Sequence, residues 1–442
     1  MLSASTISKY KLYFFPVFLI VSLVAGAQEN SPFSRYGLGD LLPAQNIVNR
    51  AMGGFTSTYA NTQNINFSNP ASYSQLYRVT YDIGVTLDSR SLRSASPVQK
   101  YNSVNLAPSY VALGLPISLK NRIGLAFGIR PISNVNYSIS EAKRITADSF
   151  LSFYEGSGGL YQGFAGIAKE WKNFRIGINT GYLFGKKDIN TRTIPVDSVT
   201  TYKGNSQENV SYSHAFVNFG LQYYDSINPT TNISIGISGN LKQKLNAKRT
   251  VVRETYTYDF SDNTIVIDSV YNSGQQNGNI TLPSSFTAGI SINKFFFYQG
   301  GRYDKSMIGA EYENSKWSQY RSFGEADKLV NSWKFRLGGQ LLPTNTFETK
   351  NFWSLITYRA GFYYGQEAVN ADGNKLPVYG ITFGAGIPIR KYSRYNNELS
   401  VVNTSFEIGK RGNSKNNITE GFFRFAASIN LSDIWFIKRK YD

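Results

Sequence analysis

Apolar residues alternate with glycine, small or polar residues along most of the chain, from about Val79 to Leu431. The clearest example is FRIGINTGYLF, residues 174–184. Because successive side chains of a β-strand point to opposite faces, this segment places Phe174 and Ile176 on one face and Arg175 on the other. Strands with one apolar and one polar face are typical of a membrane-spanning barrel that has lipid outside and a polar lumen.

About fourteen segments of this kind are separated by turn-forming residues, and each is close to the roughly 9–11 residues that a tilted strand needs to cross a bilayer. An even number of strands lets both termini of the chain emerge on the periplasmic side. The sequence therefore predicts an all-β fold, a transmembrane antiparallel β-barrel of about fourteen strands. The predicted strand centres are Ile83, Val111, Phe127, Phe164, Ile178, Phe219, Ile235, Ala288, Ala310, Phe335, Ala360, Phe383, Phe406 and Phe425.

The connections between these segments alternate in length, which is a property of bacterial outer-membrane barrels with short periplasmic turns and long external loops. We therefore expect the long connections to be external loops. We interpret the glycine-rich run 156–159 as a transition from such a loop to a strand. The short connections are residues 120–121, 171–173 and 225–231, and the long ones are residues 140–157, 186–209 and 246–282.

The N-terminal part differs from the rest of the chain. Residues 1–27 contain two lysines, the apolar run Leu12–Val24 and then Ala25-Gly26-Ala27, which is the order of a secretory signal peptide. Residues 28–78 are rich in Asn, Ser, Gly and Ala and lack sustained alternation. We therefore expect a cleaved signal peptide, a separate N-terminal segment over 28–78 and the barrel over 79–442, in the outer membrane of a Gram-negative bacterium.

Composition narrows the chemistry of the protein. The chain has no cysteine, so disulfides, thiolate zinc sites and cysteine nucleophiles are excluded, and we expect no cofactor and no metal. Its single histidine, His214, follows closely after serines 211 and 213, but neighbouring side chains in a strand point apart, so a serine–histidine pair is not favoured. We interpret His214 as a surface residue at the external rim and expect that the protein is not an enzyme.

The formal net charge of +17 becomes +15 without Lys9 and Lys11 of the signal peptide (17 minus 2). A basic balance of this kind also occurs in nucleic-acid-binding proteins. Here the basic residues are scattered and the chain is predicted to be exported, so we expect no nucleic-acid partner. The expected electrostatic partners are outer-membrane lipid and lipopolysaccharide.

The enriched residue types are Tyr (31), Phe (30) and Gly (39), which suit the aromatic belts and the bends of a membrane barrel. A secreted β-sandwich adhesin would also be rich in Tyr and Gly. It would not require apolar and polar faces of such regularity. The membrane barrel is therefore the favoured interpretation.

Two motifs in the N-terminal segment resemble the opening of the FadL family of outer-membrane transport proteins. They are NRAMGGFT, residues 49–56, and NFSNPAS, residues 66–72. Weaker similarities follow in order at Leu282-Pro283, 311–320 and 358–364. The resemblance spans most of the expected mature chain, although the two N-terminal motifs carry most of its specificity.

The resemblance implies that the N-terminal segment folds into the barrel lumen as a hatch, or plug. A hydrophobic or amphipathic ligand such as a fatty acid would bind inside and leave sideways into the membrane. A simple turn is the alternative interpretation of the Asn-Pro-Ala motif. The hatch and ligand-binding residues implied by the resemblance are Met52, Gly53, Gly54, Phe55, Phe67, Asn69, Pro70 and Ala71.

In the FadL family the third strand is kinked, so that its ladder opens a lateral window. The third predicted strand of this chain contains Gly128, Arg130 and Pro131. Proline cannot donate a hydrogen bond to a ladder, and a nearby glycine weakens the strand further. These three residues are therefore the predicted lateral window; the alternative is that the strand simply ends at the external rim.

Alternation predicts a set of charged residues that point into the lumen, because a charge facing lipid at mid-bilayer costs roughly 2–4 kcal/mol. One hypothesis is that one or two of the cations hold the carboxylate of an amphipathic ligand whose tail lies against Met52, Phe55 or Phe67. The alternative is a network of ion pairs between wall and plug. The predicted luminal charges are Asp82, Arg130, Arg175, Lys242, Glu311, Lys334, Arg336, Arg359 and Glu407.

The sequence thus predicts a passive outer-membrane channel for hydrophobic or amphipathic small molecules. A protein of the same fold can instead serve as a non-transporting subunit that docks to an outer-membrane protein secretion or assembly complex, and the fold does not decide between the two. A greasy cavity between hatch and wall would favour transport. A lumen that is packed shut would favour docking.

Overall fold

The computed structural model describes residues 31–145, 148–196, 202–259, 261, 264–370, 373–389 and 399–433. The predicted signal peptide and the C-terminal residues 434–442 lie outside this range, as do residues 260, 262 and 263 of the predicted external loop 246–282. Among the described residues, no helix is both long enough and apolar enough to cross a membrane.

Fourteen antiparallel strands form a closed barrel in which each strand pairs with the next, and the last strand pairs with the first from Val79–Asp433 to Ser94–Ile418. Each of the fourteen predicted centres lies in its own strand, so the predicted fold class is confirmed. The strands are β1 (Val79–Ala95), β2 (Val98–Ser118), β3 (Ile123–Ile145), β4 (Asp148–Trp171), β5 (Phe174–Pro195), β6 (Lys203–Asn228), β7 (Thr231–Asn240), β8 (Ser285–Tyr298), β9 (Gly301–Ser315), β10 (Ser332–Leu341), β11 (Thr357–Gln366), β12 (Pro377–Pro388), β13 (Leu399–Arg411) and β14 (Ile418–Asp433).

The predicted long loops are mostly strand, and this prediction was wrong. β3 and β4 pair with each other up to Ile145–Asp148, and β5 pairs with β6 as far as Thr193–Gly204. The glycine-rich run 156–159 therefore lies inside β4. Strands that extend into water need no apolar alternation, because pairing with each other satisfies their backbone groups, and sequence periodicity misses such extensions.

The predicted loop 246–282 forms a small external sheet. Strand Gln243–Tyr258 continues the wall beyond the end of β7 by pairing with the outer part of β6, and it also pairs with Thr264–Asn272 and with Gln276–Leu282. The last of these pairs in turn with the two-residue strand Arg321–Ser322.

The outer wall carries the apolar residues that alternation predicted. Phe174, Ile176 and Ile178 of β5 are exposed, and so are Ile83 of β1 and Phe383 of β12. Exposed apolar side chains in such number would be a liability in water, whereas hydrocarbon accommodates them.

Residues 31–78 lie inside the ring of strands. They contain two 3₁₀ helices, Pro32–Arg35 and Pro70–Gln75, the short α-helix Ile47–Arg50 and the two-residue strand Asp40–Leu41. The Asn-Pro pair explains the second 3₁₀ helix, since proline suits its first position and the Asn69 side chain accepts a hydrogen bond from the Ala71 amide at 3.2 Å. Two further 3₁₀ helices, Trp317–Gln319 and Phe352–Leu355, lie between barrel strands.

The N-terminal segment meets the wall where the wall has glycine. A Cβ atom added at Gly177 of β5 would lie 2.5 Å from the carbonyl carbon of Pro70. Backbone of the segment also meets the positions where Cβ atoms of Gly236 and Gly338 would lie. These glycines allow the segment to pack directly on the backbone of the barrel.

We expect Gly177→Ala to destabilise the protein by roughly 1–3 kcal/mol, because neither the wall nor the segment can yield without a backbone shift. Gly163→Ala is the matched control, since a Cβ there has its nearest neighbouring atom, the Tyr182 carbonyl oxygen, at 4.0 Å. The measurement is the temperature at which the barrel loses its folded mobility in gel electrophoresis. Equal transition temperatures for the two variants would contradict the close packing.

Candidate functional site

The wall of the barrel is interrupted between β2 and β3. Their ladder runs from Ser118–Ile123 to Val111–Ile129 and ends there, although both strands continue far beyond it. Continued in the same register, Ser109 of β2 would lie opposite Pro131 of β3, and Pro108 opposite Ile132. Because neither proline can donate a hydrogen bond, the sequence itself disfavours pairing at this point.

The N-terminal segment covers the edge of β3 that β2 leaves free. Asp40 and Leu41 pair with Asn134 and Ser133 in antiparallel register. The Leu42 amide donates to the carbonyl oxygen of Ile132 at 2.9 Å. The segment thus supplies the backbone partners that a lipid-exposed edge lacks.

The predicted window residues lie at this interruption, but the alternative that β3 ends there is wrong. Gly128 still pairs with Ala112, and the two residues that follow Ile129 pair only with β4, Arg130 with Gln162 and Pro131 with Tyr161. A register shift follows immediately after Pro131. The use of this opening by a ligand stays a prediction.

A cavity of about 310 Å³ lies beside the interruption, between the N-terminal segment and the external half of the wall. One side of the cavity is apolar and the other is charged, so it suits a molecule with an apolar part and a polar part. The apolar side is formed by Leu38, Leu41, Leu42, Ile132, Leu160, Leu183, Phe216, Leu282 and Trp317, and the charged side by Arg50, Glu313, Lys334, Arg336, Glu367, Glu407, Arg411 and Arg424.

Four residues of the charged side, Arg50, Glu407, Arg411 and Arg424, belong to a buried network that we call the arginine–carboxylate cluster. Its members are four arginines and four carboxylates, so their formal charges balance, and it joins the N-terminal segment to β1, β13 and β14. They are Arg50, Arg90, Arg411, Arg424, Asp40, Asp88, Glu407 and Glu420.

The shorter contacts within the arginine–carboxylate cluster are charge-assisted hydrogen bonds, whereas Glu420 lies 3.6 Å from Arg411 and 3.9 Å from Arg90. Arg424 bridges two carboxylates, with its Nε 3.1 Å from Asp88 Oδ2 and its Nη1 3.0 Å from Glu407 Oε1. Glu407 also accepts from the Tyr363 hydroxyl at 2.6 Å and lies 3.6 Å from Arg50 of the segment. Each charge that burial penalises therefore has a partner of the opposite sign.

Asp40 is the carboxylate by which the segment joins this cluster. Burial alone raises the pKa of Asp40, but Arg411 and Arg90 outweigh it and hold the pKa well below its usual range. Arg411 Nη1 lies 3.1 Å from Asp40 Oδ1, and Arg90 contacts the other oxygen. Asp40 is therefore ionised at neutral pH, directly beside the strand pairing that covers β3.

A second set of polar contacts holds the middle of the segment. Glu311 of β9 accepts hydrogen bonds from the backbone amides of Thr56 and Ser57 at 2.7 and 2.8 Å. Its other oxygen accepts from Arg336 of β10 at 2.9 Å. These bonds fix the chain just after the glycine pair of the NRAMGGFT motif.

Arg130 differs from the other cations of the cavity. Its Nε donates to Gln162 at 2.8 Å and its Nη1 donates to the carbonyl oxygen of Ala44 at 3.0 Å, while its guanidinium lies 5.3 Å from the ring centre of Phe67. Within the part of the chain that the structure describes, it forms no ion pair with a carboxylate. It is therefore the cavity cation best suited to donate hydrogen bonds to an anionic group of a ligand.

The predicted site residues are only partly brought together. The cavity is lined by Gly53, Gly54, Arg130, Lys334, Arg336 and Glu407. The remaining members of the predicted set lie outside the lining, at other points of the lumen or of the wall. They are Met52, Phe55, Phe67, Asn69, Pro70, Ala71, Asp82, Arg175, Glu311 and Arg359, with Gly128 and Pro131 in β3 and Lys242 in an exposed link.

The hydrophobic residues of the predicted hatch do not face the cavity. Met52 and Phe55 are fully buried against Val48, Tyr59 and Met307. A ligand tail therefore cannot lie against them in this structure, and the apolar side of the cavity takes that place.

Two predicted placements need correction. Lys242 lies in an exposed link between β7 and the strand Gln243–Tyr258, because the alternation breaks there and the wall continues with a new strand. His214 is half-buried in the middle of β6, with the same strand parity as the buried residues Tyr212 and Phe216. It was predicted to lie on the surface because the extension of β6 was interpreted as a loop.

Sequence reasoning missed most of the arginine–carboxylate cluster. Asp88 and Arg90 lie an even number of residues from Asp82, and Arg411 lies an even number from Glu407. Strict alternation therefore predicts that they too point into the lumen. Asp40 gave no such signal, because the segment that contains it has no period.

The model of the BamG family matches residues 9–442. No curated protein sequence matches this chain. Solved structures similar to this chain include the monoaromatic hydrocarbon channel CymD, with 15% identity and a TM-score of 0.51, where the match covers 90% of this chain and 99% of that chain. The Pseudomonas putida toluene transporter TodX is similar with 13% identity and a TM-score of 0.54, and the match covers 90% of this chain and 100% of that chain. A Pseudomonas aeruginosa FadL homologue is similar with 11% identity and a TM-score of 0.51, with the same coverage of 90% and 100%. The FadL-type fold that the two N-terminal motifs predicted is confirmed.

We expect Arg424→Met to lower the free energy of unfolding by about 3–5 kcal/mol, because it removes the cation that bridges the buried carboxylates Asp88 and Glu407 and leaves the arginine–carboxylate cluster with an unbalanced negative charge. Lys186→Met is the control, since Lys186 forms an exposed pair with Asp188 at 3.2 Å and its loss should cost no more than about 1 kcal/mol. The measurement is the urea midpoint of refolded protein in lipid vesicles, followed by tryptophan fluorescence. A midpoint shift no larger than that of the control would show that the cluster does not stabilise the fold.

Proposed function

The chain belongs to the BamG family, and because its fold is that of FadL-type channels we propose that it is an outer-membrane channel for hydrophobic or amphipathic small molecules, fatty acids included. A ligand enters from the external side, binds in the luminal cavity and leaves sideways into the membrane through the interruption between β2 and β3. The external and lipid phases are then connected through one site inside the barrel. No chemical step is required of the protein.

The observation that carries this proposal is the position of the cavity. Leu41 and Leu42 line the cavity, and the same two residues bond to the free edge of β3. Only this short stretch separates the cavity from the interruption in the wall. A movement of residues 40–42 away from β3 would therefore connect the cavity to the membrane.

Uptake by cells that make the protein tests the proposal directly. Toluene and a long-chain fatty acid should enter faster than in cells without it, while a sugar of similar mass should not. The sugar separates selective passage from general leakage. Equal uptake of all three compounds with and without the protein would contradict the proposal.

The lateral route predicts that a disulfide between Leu41→Cys and Ser133→Cys blocks uptake. The two residues are register partners, and antiparallel partners have Cα separations of about 4.5–5.5 Å, which a disulfide can span. The chain has no cysteine of its own, so no other pairing competes. Uptake of the hydrophobic compounds should fall to background when the pair is oxidised and recover after reduction.

The control pair is Ser405→Cys with Ala426→Cys, register partners on β13 and β14 away from the interruption. Oxidation of this pair should leave uptake unchanged. If the oxidised Leu41–Ser133 pair transports as fast as the reduced one, the sideways route is wrong even when uptake itself is observed.

Arg130 should select for an anionic headgroup. We expect Arg130→Met to weaken the binding of a fatty acid roughly tenfold, which corresponds to one charge-assisted hydrogen bond, and to leave binding of a hydrocarbon of the same length unchanged. Arg359→Met is the control, because Arg359 also bonds only to neutral partners, Gln340 and Asn403, but does not line the cavity. Isothermal titration in detergent measures the affinity of each variant for the fatty acid and for the hydrocarbon. Equal losses of fatty-acid affinity in the two variants would contradict the role of Arg130.

A second candidate function is docking to an outer-membrane protein complex, and the external sheet favours it. Every residue of strand Thr264–Asn272 is exposed, and among the described residues the strand pairs on one side only, with Gln243–Tyr258. An open edge of this kind can pair with a strand of another protein. Purification in mild detergent followed by mass spectrometry separates the two functions, since a recurrent fatty acid supports transport and a stoichiometric protein supports docking.

A further inference from the structure

Two cations face each other on the outer surface of the barrel. Arg93 of β1 and Lys100 of β2 are register partners, and both side chains are exposed. Directly opposite residues have Cβ atoms about 4.5–5.5 Å apart, and like charges in this arrangement destabilise a sheet. In the part of the chain that the structure describes, neither residue forms an ion pair with a carboxylate.

A third exposed cation lies close by on the same surface. Lys410 of β13 is level, through Gly421 of β14, with Ser91 of β1, which is two residues from Arg93. Strand spacing and residue rise place the backbones of Lys410 and Arg93 roughly 12 Å apart. Lys410 likewise has no ion-pair partner among the described residues. We call Arg93, Lys100 and Lys410 the outer cation triad.

The triad stands at the upper border of the apolar belt. Ile408 precedes Lys410 on the outer face of β13 and is 60% exposed, and its register partner Phe423 on β14 is 41% exposed. Next along this face come the three cations themselves, with the polar Thr419 of β14 level with Arg93. The triad therefore lies where the hydrocarbon of the outer leaflet ends and its headgroups begin.

The surface around the triad has room for an anion, and the described residues there supply no carboxylate. Ser91, Thr419 and Gly421 are the outward residues between the cations, and all are small and uncharged. The carboxylates of these strands, such as Asp88 and Glu420, are buried in the arginine–carboxylate cluster on the opposite face. Among the residues that the structure describes, no carboxylate on this surface therefore compensates the positive charge of the triad.

We propose that the outer cation triad binds the phosphate groups of a phosphorylated glycolipid in the outer leaflet of the membrane. Arg93 and Lys100 together hold one phosphate, because an anion between them relieves their mutual repulsion and accepts hydrogen bonds from both. Lys410 holds a second phosphate of the same headgroup. The acyl chains then lie on the belt beside Ile408 and Phe423.

This site is separate from the proposed channel and remains if the channel is disproved. It lies on the outside of the wall, whereas the cavity and its ligands lie inside. Lys100 belongs to the part of β2 that has no partner in β3, so the bound lipid would stand next to the interruption.

The test is native mass spectrometry of the full chain in detergent with diphosphoryl lipid A added. Wild-type protein should bind it, and Arg93→Ser with Lys100→Ser should weaken binding roughly tenfold or more, with a smaller dependence on salt. The control is Lys169→Ser with Lys172→Ser, which removes the same charge from exposed residues at the opposite end of the barrel. All variants change only exposed side chains, and unchanged folded mobility in gel electrophoresis verifies their fold.

Three results would overturn the proposal. Equal binding by the triad variant and the control would show that the cations do not form a site. Equal binding of lipid A without its phosphates would show that only the acyl chains are recognised. Displacement of the lipid by millimolar inorganic phosphate would show that the site binds free phosphate. By contrast, Lys410→Ser should weaken the diphosphoryl lipid but not the lipid that keeps only one phosphate.

Discussion

The structure depends on the requirement that backbone groups facing hydrocarbon must be hydrogen-bonded. Closure of β14 on β1 meets it around the barrel, and the two strands between which it fails are β2 and β3. There the chain uses its own N-terminal residues as a substitute partner for β3. The position of the luminal segment, the cavity behind it and the route that we propose out of that cavity all depend on this one pairing.

Buried charge explains why the segment stays in place. Asp40 and Arg50 bring one carboxylate and one cation from the segment into the arginine–carboxylate cluster, where the barrel supplies partners for both. Without the segment, Arg90 and Arg411 of the wall would lose their partner Asp40, and Glu407 would lose Arg50. Small displacements near Leu41 preserve most of these contacts, whereas complete release of the segment would break them all.

Fold prediction succeeded where burial in lipid imposes a period of two. All fourteen strand centres could be placed for this reason, and the predicted charges on the inner face agree with the buried positions of Arg336 and Glu407. Prediction failed where water takes the place of lipid, as in the outer halves of β3 to β6. It also failed for Asp40 and for the tail site at Met52, because positions inside a plug depend on packing rather than on a repeating pattern.

The strand Asp40–Leu41 belongs to the same chain as the edge that it covers. Covalent connection keeps it at an effective concentration in the millimolar range or above, so it returns to β3 without having to diffuse from solution. If the barrel opens as we propose, a strand tethered in this way closes it again after each passage without an external energy source.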